Sequence, residues 1–160
     1  MDPVTSQPCP ICALHRDRAI AAFEIARSPL WLLRHHPNPA PLPGWLLLDA
    51  RRHIPGPLAF DDEEASDWGR AVRQASTLVQ RLTGCERVYA IAFGEGAPHL
   101  HLHLIPRHQG HDATAAWRVA DHYRAVETGE RPPVDPQRVR DLVARARELV
   151  DWPQLPRSGG

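Results

Sequence analysis

"HLHLHLIPR" occupies residues 99–107. Three histidines alternate with three leucines, and an apolar pair and an arginine follow. Side chains on a strand point alternately to opposite faces, so His99, His101 and His103 share one side and Leu100, Leu102 and Leu104 the other. Same-face neighbours are about 6.6–6.8 Å apart along a strand. The leucines are expected to meet a core, which leaves the histidines as a polar rail on the opposite face. Three readings of the rail follow. It is a solvated face; or a metal rail, since two imidazoles of a His-x-His pair converge on one tetrahedral ion; or a catalytic group, since imidazole with a pKa of about 6.5 is largely neutral and nucleophilic at pH 7.

Upstream, "RVYAIAF" (87–93) reads as a strand and "GEGAP" (94–98) as a tight turn. So short a connection makes the two strands an antiparallel hairpin. A long helix is predicted over 62–83. Asp61 and Glu64 form a capping-box start, and Ala65, Trp68, Ala71, Val72, Ala75, Leu78, Val79 and Leu82 make one apolar stripe. Gly84 is placed to end it. "LWLLRH" (30–35) and "WLLLDA" (45–50) are further strands, separated by the proline-rich loop 36–44. A short helix is predicted over 15–26, after an irregular segment 1–14. Trp31, Trp45 and Cys85 read as packing residues. Past Arg107, "HQGHDATAAW" is loop-like, and "AAWRVADHY" is amphipathic, with Trp117 and Tyr123 assigned to core packing or a dimer contact. A last helix starts at Asp135 and Pro136, with Val139, Leu142, Val143, Ala146, Leu149 and Val150 on its apolar face. The final "PQLPRSGG" reads as frayed. The pattern predicts an α+β domain: an antiparallel sheet of about five strands with helices on one face. Residues 1–109 form the core unit and 110–160 a helical extension packing on it.

The chain has 160 residues, with 19 Lys+Arg against 19 Asp+Glu. That balance excludes the basic excess of a duplex nucleic-acid binder. No window approaches the roughly 18 apolar residues of a membrane helix, and the N-terminus lacks a signal-peptide pattern. These features predict a cytoplasmic protein. Three cysteines in a reducing compartment argue against a disulfide framework. Cys9 and Cys12, in "CPIC", are a metal-binding or redox pair.

"GEGAPHLHLHLIPR" resembles the histidine triad (HIT) family, whose signature is His-x-His-x-His followed by two apolar residues. "PGWLLLDARRH" (43–53) resembles the family's preceding strand and loop, and the long helix falls where the family has it. The resemblance covers roughly residues 9–107. It implies a HIT-like fold, a homodimer, and hydrolysis of a nucleotide phosphoanhydride or phosphoramidate at the α-phosphate. His101 would be the nucleophile of a covalent nucleotidyl-histidine intermediate, and His103 would contact the phosphate or leaving-group oxygen. The third histidine favours the hydrolase branches over the transferases, which carry Gln there. Dinucleoside polyphosphates are the first substrate implied and nucleoside phosphoramidates the second.

The resemblance also implies one structural zinc per chain on Cys9, Cys12, His53 and His99, a closed Cys2His2 tetrahedron without an open position for water. Gly94, Glu95 and Gly96 would approach the phosphate, the glycines allowing close backbone contact. Arg107, with His108 and His111, would approach a polyphosphate, and His36 and Asn38, with His35, are candidates for the ribose. Glu95 and Gly96 depart from the family pattern, since a carboxylate beside a phosphate repels it unless it is turned away. That departure keeps open a catalytically silent nucleotide-binding or scaffold protein. A metal-dependent hydrolase with the whole triad on one catalytic ion is the other alternative.

Overall fold

Burial and hydrogen bonding place the leucine side of the triad strand at the centre of the molecule. The structure, a computed structural model, describes residues 8–152; the predicted frayed tail lies outside them. Five strands, β1 (Glu24–Arg27), β2 (Trp31–His35), β3 (Leu46–Ala50), β4 (Arg87–Ile91) and β5 (His101–Arg107), form one sheet in the order β1-β2-β3-β5-β4. Every pairing is antiparallel.

Alternation then sorts the side chains. Trp31, Leu33, Leu46, Leu48, Leu102 and Leu104 enter one core, joined by Ala71, Ala75, Leu78 and Val79 of α2 (Asp62–Thr83). Leu100 and Cys85 lie in the same core. The reciprocal Asp61–Glu64 capping box is present, and Gly84 ends α2 in the left-handed conformation at φ 69°. Helix α4 (Pro136–Leu149), capped by Asp135, adds Val139, Val143 and Ala146 beside α2.

Helix α3 (Val119–Glu127) lies on the other face, where Val119 packs with Trp45 and Ile105. His122 Nε2 donates to the Pro41 carbonyl at 2.9 Å, and Val134 N–H to the Ala40 carbonyl at 2.9 Å, so residues beyond 110 are stitched to the proline-rich loop. The histidine face is therefore partly roofed rather than open. Trp117 is 93% exposed, outside any core, while Tyr123 packs with Trp45.

The N-terminal third corrects the expected helix over 15–26. Helix α1 (Pro10–Arg16) begins at Cys9, whose sulfur accepts from Cys12 N–H, with Pro10 in the first turn. Asp17 then caps a separate short turn, Arg18–Ala22. Ile25 and Ala26, within the span expected as helix, are buried in edge strand β1 instead. The hairpin is also looser than its sequence suggests. β4 stops at Ile91 and β5 starts at His101, so residues 92–100 form a loop and His99 precedes the strand.

Candidate functional site: a histidine-lined cavity beside a Cys/His cluster

His99 and His101 face different surroundings. His99 is buried, and its Nε2–H donates to the Ala50 carbonyl at 2.7 Å. A carbonyl only accepts, so the proton sits on Nε2 and Nδ1 keeps its lone pair. That lone pair faces Cys9 Sγ at 3.5 Å, Cys12 Sγ at 3.4 Å and His53 Nδ1 at 3.3 Å. Cys12 Sγ is also 3.4 Å from His53 Nδ1. The four ligand atoms lie within 4.8 Å of one another.

Those separations fit a metal better than a hydrogen-bonded cluster. Bond lengths of about 2.3 Å to sulfur and 2.0–2.1 Å to nitrogen give tetrahedron edges of about 3.5 Å for S···N and 3.3 Å for N···N. Lone pairs at that spacing repel unless a cation sits among them. Burial first, and then Cys9 close by, push the Cys12 thiol up, and burial holds His99 below the usual histidine range. The Ala50 carbonyl fixes the ring of His99 and aims its Nδ1 at the thiols.

His101 Nδ1–H donates to the His99 carbonyl at 2.6 Å. Its Nε2 is thereby the unprotonated nitrogen of the neutral ring. His101 borders a cavity of about 640 Å3. His103 lies beside it with ring centroids 5.3 Å apart. Trp45 Nε1–H donates to His103 Nδ1 at 3.0 Å. Indole only donates, so the proton of neutral His103 is on Nε2. Burial, followed by the nearby His101, His36 and Arg34, lowers His103 to about 3. The two rings thus offer complementary atoms: a lone pair on His101 and a donor on His103.

Much of the remaining cavity wall comes from segments outside β5. Gly94, Glu95 and Gly96 border it, with Gly94 at φ 74°. The backbone N–H groups of residues 94–96 have no acceptor among the described residues. His36 and Asn38 line it from the proline-rich loop, Ile11 and Leu14 from α1, and Tyr123, Arg124 and Glu127 from α3. His36 lies edge-on to Trp45 and Tyr123, and burial lowers it to about 4. His35 points into the core side instead. It donates to the His36 carbonyl at 2.8 Å and accepts from Gly44 N–H at 3.1 Å, a structural role.

Arg107 is not brought to the cavity. Its guanidinium bonds the His108 carbonyl and Thr114 Oγ1, the latter at 3.1 Å, and closes the turn after β5. Arg34, Asp49 and His15, which sequence reading passed over, form a polar chain that starts at the cavity wall. Arg34 lines the cavity, and its Nε and Nη2 donate to Asp49 at 2.6 and 3.1 Å. His15 of α1 donates to the same carboxylate at 2.8 Å. Burial alone would raise Asp49, but Arg34 and His15 outweigh it and hold the carboxyl below the usual range. The signal was present: Arg34 and Asp49 are single charges inside the apolar runs "LWLLRH" and "WLLLDA".

Solved histidine triad proteins share this fold. One from Bradyrhizobium japonicum matches with a TM-score of 0.61 at 22% identity, covering 79% of this chain and 89% of that one. A zinc-bound histidine triad family protein from Mycobacterium smegmatis matches with a TM-score of 0.61 at 16% identity, covering 88% of this chain and 93% of that one. A HIT-family member from Bacillus subtilis gives 0.58 at 18% identity, covering 91% and 99%. No family model matches the sequence, and no curated protein matches it. No helix among the described residues is long and apolar enough to cross a membrane.

Proposed function

We propose that this chain is a histidine triad hydrolase that cleaves a nucleotide phosphoanhydride or phosphoramidate at the α-phosphate. The observation that carries the reading is the His101 Nδ1–H bond to the His99 carbonyl, which leaves Nε2 as a lone pair on the cavity wall. In the first step, Nε2 of His101 attacks phosphorus and the bond to the leaving oxygen or nitrogen breaks. His103 Nε2–H is the donor placed for the leaving atom or a phosphate oxygen. In the second step, water attacks the nucleotidyl-histidine, the P–N bond breaks and a nucleoside monophosphate leaves. Splitting one displacement into two is the gain of covalent catalysis. Gly94 and Gly96 supply free N–H donors for the phosphate oxygens, and Glu95 stands at the cavity's edge. Dinucleoside polyphosphates remain the first substrate class and nucleoside phosphoramidates the second.

The Cys9, Cys12, His53 and His99 set suits one structural zinc, which would supply a cross-link and no open coordination position. Such a link fixes α1, and with it Ile11 and Leu14, against the sheet. The geometry gives less support to a catalytic ion held by the whole triad. His99 turns toward the thiols, while His103 Nδ1 is taken by Trp45. A second copy of the chain is the proposed partner, tested by light scattering. The activity is tested on a panel of dinucleoside polyphosphates and nucleoside phosphoramidates. Wild type releases a nucleoside monophosphate and His101→Ala does not. Equal turnover by both proteins removes the enzymatic reading and leaves nucleotide binding alone.

A further inference from the structure

Arg34 is an expensive residue to bury in a central strand. Only 3% of its side chain is exposed, and Asp49 beside it is fully buried. Taking two charges out of water costs more than burying leucines such as the neighbouring Leu32 and Leu47. Asp49 grips the side edge of the guanidinium, Nε and Nη2. His15 donates to Oδ2 as well, the oxygen that accepts from Arg34 Nε, so the carboxylate is held and the plane of Arg34 with it. Nη1 has no partner among the described residues, yet it is not sealed from solvent, and Arg34 borders the cavity. Nη1, the nitrogen Asp49 leaves unpaired, belongs to the end edge of the fork, where Nη1–H stands beside the outer Nη2–H, two parallel donors in one plane.

The position of that edge follows from the sheet. β2 lies two strands from β5, about 9.5 Å across at 4.7–4.9 Å per strand. With phosphorus at His101, the nucleoside extends over β3 toward β2. There Ile11, Leu14 and Leu47 offer apolar surface for the faces of a base. Arg34 then meets the edge of that base. Asp49 already balances its charge, so the remaining donors favour a neutral pair of acceptors over a second full anion.

Resting on the hydrolase reading above, we propose that Arg34 selects a 6-oxopurine nucleotide, guanine or hypoxanthine, over adenine. O6 and N7 of a 6-oxopurine present two adjacent acceptors, which match the two donors. Adenine places its N6 amino group where O6 would be, so one N–H faces another. A bidentate contact of this kind discriminates by about 10- to 100-fold.

The test is calorimetric binding of GMP, IMP, AMP and 7-deaza-GMP to the full-length wild-type protein, with Arg34→Lys alongside. GMP and IMP are expected to bind at least tenfold tighter than AMP, and 7-deaza-GMP, which lacks the N7 acceptor, weaker than GMP. Arg34→Lys keeps a cation beside Asp49 but loses the planar fork, and it brings the GMP/AMP ratio close to one. The 7-deaza comparison needs no variant, so it decides the matter even where Arg34→Lys fails to fold. Equal wild-type affinities for GMP and AMP overturn the proposal. So does a uniform loss for all nucleotides in Arg34→Lys, which marks an anion contact. Guanine preference without turnover defeats only the hydrolase reading; no nucleotide binding at all defeats both.

Discussion

The indole N–H of Trp45 donates to Nδ1 of His103 at 3.0 Å, across the β3–β5 boundary. This contact decides which nitrogen of His103 carries the proton. Replacing Trp45 with Phe keeps the ring against Tyr123 and removes the donor. Turnover on the hydrolysed nucleotide is expected to fall about tenfold, because a share of His103 adopts the wrong tautomer. Folding stability drops by about 1–3 kcal/mol, because the buried His103 acceptor is left unpaired. Steady-state kinetics and urea unfolding on one preparation separate the two. Unchanged kcat contradicts the assigned role.

Burial keeps His103 near a pKa of about 3 and His36 near about 4. In the unfolded chain both return to about 6.5. Between these limits the unfolded state binds more protons than the folded one. Stability therefore rises with pH through this window and is lost as pH falls from about 6.5 toward 4. Burial lowers His35 as well, and three such groups give a slope of at most about 4 kcal/mol per pH unit. Urea unfolding at intervals of half a pH unit measures it. His103→Asn is expected to remove about a third of the slope, and an identical slope in that variant counts against a buried neutral His103.

Removing the proposed zinc releases α1 from the sheet. Elemental analysis is expected to give about one zinc per chain, and Cys12→Ser to lose it. The melting temperature should fall by on the order of 10 °C, the effect of a few kcal/mol in a domain of this size. Nucleotide affinity should fall with it, because Ile11 and Leu14 line the cavity. A metal-free protein with an unchanged melting temperature contradicts the assignment.

Leu104 is fully buried on the core side of β5. Leu104→Ala is expected to cost about 2–5 kcal/mol of folding stability. His101 is still presented from the same strand, so the folded fraction should keep its turnover per active site. Denaturant unfolding combined with active-site titration checks both halves. A loss of under 1 kcal/mol means the leucine row is not the strand's anchor.

The triad strand and α2 were legible because their periods are strong local signals. Leu102 and Leu104 sit on the core side while His101 and His103 share the other, and Gly84 ends α2 as its type demands. Cys9, Cys12, His53 and His99 also come together, although 90 residues separate the outermost pair. What local pattern does not carry is register. Arg34 pairs directly with Leu47, and only that register sets it diagonal to Asp49. β1 escaped because four residues are too few for a period to show. Arg107 looked like a phosphate ligand by composition, yet the turn at 108–114 needs its donors. Tyr123 reaches the cavity because α3 crosses the histidine face, a tertiary placement.

The central claim is that Nε2 of His101 forms a bond to phosphorus. The most direct test is acid-free quench of the enzyme during turnover of a nucleotide substrate, followed by intact-mass and peptide mass spectrometry. The account predicts a nucleoside monophosphate adduct on the peptide carrying His101, present in wild type and absent in His101→Ala. Turnover with no adduct on that peptide, and undiminished in His101→Ala, contradicts it.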